Sequence, residues 1–143
     1  MRRALRLAAR AGELGEVPVA ALVVDPDGDI VAEDHNRTRE RSDPTAHAEV
    51  LVLREAARRL GDWRLEGHTL FATLEPCAMC AGAAVLSRVP TLVYAAPDPK
   101  AGMCGSLENL AHDPRLNHRI EVVGGILGDE SASLLVDFFR AKR

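Results

Sequence analysis

The sequence predicts an α/β protein built on a five-stranded mixed sheet with helices on both faces. Three observations lead to this prediction: two apolar segments flank the tight turn PDGD, strand-like and helix-like segments then alternate, and 143 residues suit one domain. We therefore treat residues 1–143 as a single domain. We expect the sheet to be mostly parallel, with right-handed crossovers between its parallel strands.

The elements follow the order αββαβαβαβα. The first helix is predicted from apolar residues at helical spacing: Leu5, Leu7, Ala8, Ala11 and Leu14. Five segments rich in apolar and β-favouring residues predict the strands: 17–25, 30–33, 68–75, 91–97 and 120–126. The other helices are predicted from capping signals and apolar periodicity: 43–60, 75–88, 106–112 and 129–143.

Composition excludes several classes of protein. Hydrophobic residues make up 47% and charged residues 27% of the chain, which is typical of a globular protein. A net charge of −3 argues against broad, charge-driven binding to nucleic acid, although a local basic patch remains compatible with it. No apolar run is long enough to span a membrane, and acids interrupt the Arg-rich start. We expect a cytoplasmic protein with no membrane partner.

The cysteines suggest metal or catalytic use. Cys77, Cys80 and Cys104 form an odd set in a chain without an export signal, which disfavours a disulfide scaffold. Cys77 and Cys80 form a C-x-x-C motif at the predicted start of a helix, where a thiolate is stabilised. This motif alone is equally compatible with a redox pair. Cys104 has no partner at a suitable spacing and is predicted to be a small packing residue.

The stretch DPTAHAEV, residues 43–50, gives the motif a partner. Asp43 is predicted to cap a helix, with Pro44 in the first helical position and both His47 and Glu49 in the first turn. Residues two apart on a helix do not face each other, so this pair points to a third group. Strand-to-helix turns of one parallel sheet share an edge, which would bring His47 to the two thiolates of Cys77 and Cys80.

Three protein ligands are typical of a catalytic zinc ion, whose fourth position is left for water. The ion would lower the pKa of that water, and Glu49 would act as general base and then general acid. Taken alone, His-x-Glu is more often a surface pair, and a cysteine at a helix start is often simply buried. Their conjunction predicts a zinc site, because H-x-E…P-C-x-x-C is the signature of zinc-dependent nucleobase deaminases.

The wording around these residues resembles the bacterial tRNA adenosine deaminase (TadA) family. The matching segments span nearly the whole chain: GEVPVAALVV at 15–24, HNR at 35–37, DPTAHAE at 43–49, TLEPCAMCAGA at 73–83, DPKAG at 98–102, GSL at 105–107, LNHR at 116–119 and DFFR at 137–140. The zinc motif alone identifies only the superfamily. The other segments are more similar to tRNA adenosine deaminases than to guanine, cytosine or deoxycytidylate deaminases.

The resemblance implies a three-layer αβα, cytidine deaminase-like fold. It implies deamination of adenosine to inosine at the wobble position of a tRNA anticodon loop, by a homodimer with one Zn²⁺ per subunit. It also implies a set of substrate-binding residues: Asn36, Ala48 (through its backbone N–H), Asp98, Lys100, Asn117, His118, Phe139 and Arg140. Three positions depart from the family pattern, with Ala20 in place of the common Gly, and Met103 and Cys104 in place of small Ala residues.

Two alternatives remain open at this point. One is a deaminase of a free base or nucleotide, such as guanine, cytosine or deoxycytidylate, which the low aromatic content and acidic pI permit. The other is a noncatalytic deaminase-fold subunit stabilised by zinc. The presence of Glu49 argues against the second alternative, because a structural metal ion needs no proton shuttle.

Overall fold

A computed structural model describes every residue from Met1 to Arg143. Its helices and strands, in chain order, are α1 (Arg2–Glu13), β1 (Ala20–Val24), β2 (Ile30–His35), α2 (Ala48–Leu60), β3 (Thr69–Leu74), α3 (Ala78–Leu86), β4 (Thr91–Ala96), β5 (Glu121–Val123) and α4 (Gly128–Ala141). The predicted order is confirmed for these nine elements. No helix among them has the length and apolar character that crossing a bilayer would require.

The helix predicted over 106–112 is wrong for most of its length. Only Leu110–His112 form a short 3₁₀ helix. The first ladder bond of such a helix would join the Leu110 N–H to the Ser106 carbonyl, but the Leu110 N–H donates to the carbonyl of Met103 at 2.8 Å instead. The α-helical ladder therefore does not start at Ser106.

The sheet has the strand order β2-β1-β3-β4-β5. Strand β1 pairs antiparallel with both β2 and β3, whereas β4 pairs parallel with β3 and β5. Strands β2, β3, β4 and β5 run in one direction and β1 alone runs against them, so the expected mixed, mostly parallel sheet is confirmed, and the hairpin places β1 in its interior. Since β2 and β3 are both antiparallel to β1, they run in the same direction. Helices α2 and α3, which follow them, consequently start at the same edge of the sheet, called here the metal edge.

Helices cover both faces of the sheet and complete the three layers. Helices α1 and α4 pack on one face, and α2 and α3 pack together on the other. The core between the layers is formed by fully buried side chains that include Val23, Val52, Leu70, Leu92 and Ile120. Burying each of them contributes roughly 1.5–3 kcal/mol, which holds the helix starts against the sheet.

Helix α2 starts later than its capping signal predicts. The Asp43 carboxylate accepts a hydrogen bond from the Thr45 N–H at 2.8 Å and closes a turn of its own. His47 is the N-cap residue, with extended backbone angles, and Ala48 is the first helical residue. The side chain that caps the helix comes from Asn36, whose Oδ1 accepts the Ala48 N–H at 3.0 Å. His47 therefore lies just before the helix.

Helix α3 starts in a similar way. Cys77 is its N-cap residue, with φ −72° and ψ 178°, and Cys80 lies in its first turn. Pro76 was predicted at the first helical position but precedes the N-cap. Its carbonyl accepts the Met103 N–H at 2.9 Å, so Pro76 belongs to a turn that packs against another loop.

Candidate metal centre and its neighbouring loops

The two helix starts bring His47, Cys77 and Cys80 together. The His47 Nδ1 atom lies 3.7 Å from the Cys77 Sγ and 3.5 Å from the Cys80 Sγ. The ligand atoms of all three residues lie within 4.8 Å of one another, and no fourth His, Cys, Asp or Glu belongs to the group. Cys80 is buried and the other two are half-buried. Three converging donors at this spacing can share one ion.

In the absence of metal, the three side chains are held together by hydrogen bonds, whose protons a bound metal ion would displace. A hydrogen bond from the Cys80 thiol, with help from His47, lowers the pKa of Cys77 to about 3. The hydrogen bond with Cys77, together with burial, raises the pKa of Cys80, and the hydrogen bond with Cys77 raises the pKa of His47. The Cys77 thiolate is thus stabilised by the protonated side chains of Cys80 and His47. A cation bound between them would supply the same stabilisation without those protons.

Glu49 lies beside this group as an unpartnered acid. It is 3% exposed, and its Oε2 atom is buried without any hydrogen-bond donor in the chain. Burial raises its pKa, and its side chain lies near that of Cys80. A buried carboxylate oxygen needs a donor, and a water molecule on an ion held by three ligands would provide one. The donor set of two sulfurs and one nitrogen, with this orphaned oxygen, fits a zinc ion.

Asn36 is placed at the metal edge by bonds on both sides. Its N–H donates to the Val19 carbonyl at 2.9 Å, and its Oδ1 accepts the Ala48 N–H. This leaves the Nδ2 group as the free donor of the side chain. The Ala48 N–H, which was expected to face substrate, is already bonded to Asn36. Ala48 is fully buried, so in this structure it orients Asn36 instead.

The loop after β4 contains the predicted residues Asp98 and Lys100. The Asp98 Oδ1 accepts the N–H of Lys100 at 3.0 Å and that of Ala101 at 3.3 Å, so this carboxylate folds its own loop. Its expected role as a substrate contact therefore lacks support from the geometry. Lys100 is exposed and points toward helix α4.

Lys100 and the end of α4 line an open cleft of about 600 Å³. The lining includes no acidic residue and is formed by four basic and three apolar residues: Lys100, Arg140, Lys142, Arg143, Leu135, Val136 and Phe139. Phe139 is 50% exposed, while its neighbour Phe138 is half-buried beside Gly12. Phe139 and Arg140, both predicted substrate contacts, thus lie together in a basic cleft with an apolar floor.

Asn117 and His118 are not brought to the metal centre of their own chain. The Asn117 Oδ1 accepts a hydrogen bond from the Arg88 side chain at 2.9 Å, and the His118 Nε2 lies 2.8 Å from the Val89 carbonyl oxygen. Both partners follow the C-terminal end of α3, whose nine residues span about 13 Å. These two predicted residues lie at the opposite edge of the sheet from Cys77.

Two buried carboxylates near the site were not predicted from the sequence. Glu16 is 2% exposed and accepts the N–H groups of Arg39 and Glu40 at 2.9 and 2.7 Å. Glu75 is 1% exposed and accepts hydrogen bonds from the loop after β4. The signal for Glu75 was an acid directly ending a buried strand. Each carboxylate organises a loop next to the metal edge.

The positions that depart from the family pattern are all buried or half-buried. Ala20 is fully buried at the start of β1, and its N–H donates to the Thr73 hydroxyl at 3.0 Å. Cys104 is 3% exposed, and burial raises its pKa to about 12, so it remains a thiol. It is not in the three-residue group, which agrees with its predicted packing role.

Comparison with known proteins places this geometry in a family. Residues 1–96, which include His47, Glu49, Cys77 and Cys80, match the family model described as cytidine and deoxycytidylate deaminase zinc-binding region. The chain is 50% identical over 143 residues to the tRNA-specific adenosine deaminase of Bacillus subtilis, which covers 100% of this chain and 88% of that one. The chain belongs to the tRNA-specific adenosine deaminase family. The family member of Haemophilus influenzae is 46% identical, with 100% and 83% covered.

Solved structures agree with this family assignment. A structure from studies of A-to-I editing by tRNA:A34 deaminases at the wobble position of transfer RNA has a TM-score of 0.90 and 45% identity, covering 94% of this chain and 97% of that one. A guanine deaminase from Nitrosomonas europaea has a TM-score of 0.83 and 29% identity, with 96% and 81% covered. The α/β fold expected for the tRNA-specific adenosine deaminase family is thereby confirmed.

Proposed function

We propose that this protein is a zinc-dependent hydrolase that converts adenosine to inosine at the wobble position of a tRNA anticodon. The observation that carries the proposal is the three-ligand group beside the unpartnered Glu49 oxygen, in a chain 50% identical to a tRNA-specific adenosine deaminase. The proposed ligands of one zinc ion per subunit are His47, Cys77 and Cys80. A tRNA substrate would support the expected cytoplasmic location.

When bound, zinc would lower the pKa of a coordinated water and so supply a nucleophile near neutral pH. Glu49 takes up the two protons of the attacking water in turn and delivers one to ring nitrogen N1 and the other to the departing amino group, while the water oxygen bonds to C6. The bond from carbon C6 to the amino nitrogen breaks, ammonia leaves, and C6 becomes a carbonyl carbon. Burial raises the pKa of Glu49, which suits a group that must both take up and release a proton.

Asn36 is proposed to orient the base. Because its Oδ1 is bonded to the Ala48 N–H, only its Nδ2 group remains to donate a hydrogen bond to a purine acceptor. The target adenosine must leave the anticodon stack to reach the metal centre. Because only the Oδ1 end of the Asn36 amide is held by the protein, the Nδ2 end sets the orientation in which the purine ring binds.

The basic cleft is proposed to bind the anticodon loop around the reacting adenosine. Lys100 and Arg140 supply charge for phosphates, and the exposed Phe139 ring supplies a face for base stacking. The net charge of −3 confines nucleic-acid binding to such a local patch. Asp98 and Ala48 act in this proposal by shaping the loop and holding Asn36.

We further propose that the protein is a homodimer. Helix α3 is apolar on all sides, with Met79, Gly82 and Ala83 half-buried and Leu86 70% exposed. An apolar helix face left open in a monomer is typical of a protein–protein interface. The small residues would allow another helix to approach closely.

A second candidate function is deamination of a free purine base, which the structural match to a guanine deaminase favours. Incubating the zinc-loaded protein in parallel with an anticodon stem-loop, guanine and deoxycytidylate separates the candidates. We expect inosine from the stem-loop and little ammonia from the other two. Ammonia from guanine alone would replace the proposal with the second candidate, and ammonia from none would indicate a noncatalytic zinc protein.

Replacing the proposed proton shuttle tests the site itself. In Glu49→Ala, zinc should be retained because all three ligands remain, while turnover should fall by at least about 10³-fold because no group moves the proton. Zinc content by elemental analysis and inosine formation are the two readouts. Loss of zinc in Glu49→Ala would show that Glu49 is a ligand and that its role is misassigned.

A further inference from the structure

Glu75 has more hydrogen-bond donors around it than any other acid in the protein. Its buried carboxylate accepts the N–H groups of Asp98 at 2.9 Å, Cys104 at 3.0 Å and Ser106 at 2.9 Å, as well as the Ser106 hydroxyl. No Lys or Arg side chain is paired with it, so backbone dipoles and one hydroxyl carry the interaction. All of these donors belong to the loop of residues 98–106, which we call the clasped loop.

The clasped loop is also bonded to the turn that leads into the metal centre. The Met103 N–H donates to the carbonyl of Pro76, the residue directly before Cys77, and the Glu75 N–H donates to the Ala96 carbonyl at 2.8 Å. Glu75 therefore lies between Cys77, a proposed zinc ligand, and the clasped loop, which donates hydrogen bonds to it. That loop carries Lys100 into the basic cleft.

Gly102 shows how closely the clasped loop fits over the carboxylate. A Cβ atom at this position would overlap the carboxyl group of Glu75 and lie 2.6 Å from the Asp98 carbonyl oxygen. Any side chain would therefore push the loop away from Glu75. The Glu75 carboxylate can approach the loop this closely because residue 102 is a glycine.

We infer that Glu75 is a positioning residue, which sets the distance between the metal centre and the RNA-binding cleft by holding the clasped loop. This inference rests on the proposed function. If Glu75 only stabilised the fold, its loss would lower the unfolding temperature without a specific effect on RNA binding. As a positioning residue, it acts on the contact made by Lys100, which belongs to ground-state binding and therefore to KM.

The variant Glu75→Gln tests this directly. Glutamine keeps the shape of the side chain but replaces one acceptor oxygen with an amide NH2 group. This group cannot accept hydrogen bonds from the N–H donors of the clasped loop. In the zinc-loaded, full-length protein we expect faster amide hydrogen exchange confined to the clasped loop and unchanged zinc content. For the anticodon stem-loop, KM should rise on the order of tenfold while kcat changes by less than about threefold.

Two companion variants make the test specific. Ser106→Ala keeps the carboxylate and removes one donor, so it should change loop exchange and KM in the same direction by less, and it carries the test if Glu75→Gln does not fold. Val23→Ala lowers stability from a fully buried position near the end of β1, away from the loop, and should leave KM unchanged.

The inference is overturned if Glu75→Gln leaves loop exchange and KM unchanged, if it releases zinc, or if Val23→Ala raises KM equally. Its failure differs from failure of the proposed function. An active wild-type protein with a normal Glu75→Gln variant contradicts only the positioning role. A wild-type protein that makes no inosine contradicts the proposed function, and loop exchange in Glu75→Gln then decides whether the carboxylate holds the loop.

Discussion

Asn36 combines a structural and a proposed functional role within one side chain. Its Oδ1 caps helix α2 through the Ala48 N–H, while its Nδ2 group is left free at the metal edge. The two ends of the amide can be separated chemically, because an aspartate keeps the acceptor and loses the donor. Two different substitutions of Asn36 can therefore separate its structural role from its proposed functional role.

For Asn36→Asp, we expect a near-normal unfolding temperature because the cap acceptor remains, but a much higher KM because the donor is lost. For Asn36→Ala, both should change, with a loss of about 1 kcal/mol in unfolding free energy from the missing cap. Thermal unfolding and stem-loop kinetics measure the two effects. Equal KM values for wild type and Asn36→Asp would remove Asn36 from the substrate site.

At the scale of elements, the ends of helices decide where the functional side chains lie. Helix α2 begins at the metal edge, just after His47, and ends at Gly61 in the left-handed conformation, with φ 74° and ψ 17°. This left-handed residue lets the chain leave the helix toward β3. A Cβ atom at Gly61 would meet no other atom within 4 Å, so a substitution there reports backbone strain alone.

Gly61→Ala should lower the free energy of unfolding by about 1 kcal/mol, because a left-handed alanine is strained. Gly61→Asn is the matched control and should cost less, since asparagine tolerates this conformation. Chemical denaturation of both variants with zinc present measures the difference. If both variants were as stable as wild type, the chain would leave the helix by a different turn.

At the scale of the whole molecule, metal binding is coupled to proton binding. The metal-free group holds protons because the pKa values of His47 and Cys80 are raised, the former mainly by its hydrogen bond with Cys77. Without metal, the raised His47 pKa adds stability at low pH that is lost as pH rises through it. Zinc binds the deprotonated forms, so the stability that zinc adds to the folded protein increases as pH rises.

We therefore expect the gap in unfolding temperature between zinc-loaded and chelator-treated protein to widen as pH rises from about 5 to about 8. Zinc content after dialysis should fall over the same interval as pH is lowered. Differential scanning calorimetry and elemental analysis are the measurements. A gap that does not depend on pH would mean that the metal binds without displacing protons from these three residues.

The proposed dimer is the second property of the whole molecule. Leu86 is 70% exposed on α3, so Leu86→Glu should not disturb the monomer fold, yet it would bury a charge in an interface formed by this face. We expect wild type to sediment as a dimer and Leu86→Glu as a monomer with intact zinc. Leu60→Glu, at another exposed leucine that ends α2, serves as the control and should remain dimeric.

The sequence by itself determined the order of the elements and the identity of the three-ligand group with Glu49. Capping, apolar periodicity and C-x-x-C spacing are local signals, and the chemistry of His, Cys and Glu does not depend on the fold. Strand β1 in the sheet interior, the later starts of α2 and α3, and the separation of Asn117 and His118 from Cys77 were decided by tertiary structure. So were the buried carboxylates of Glu16 and Glu75, whose donors come from loops more than 20 residues away. Such long-range hydrogen bonds and strand neighbours form only when the whole chain packs, and no local pattern encodes them.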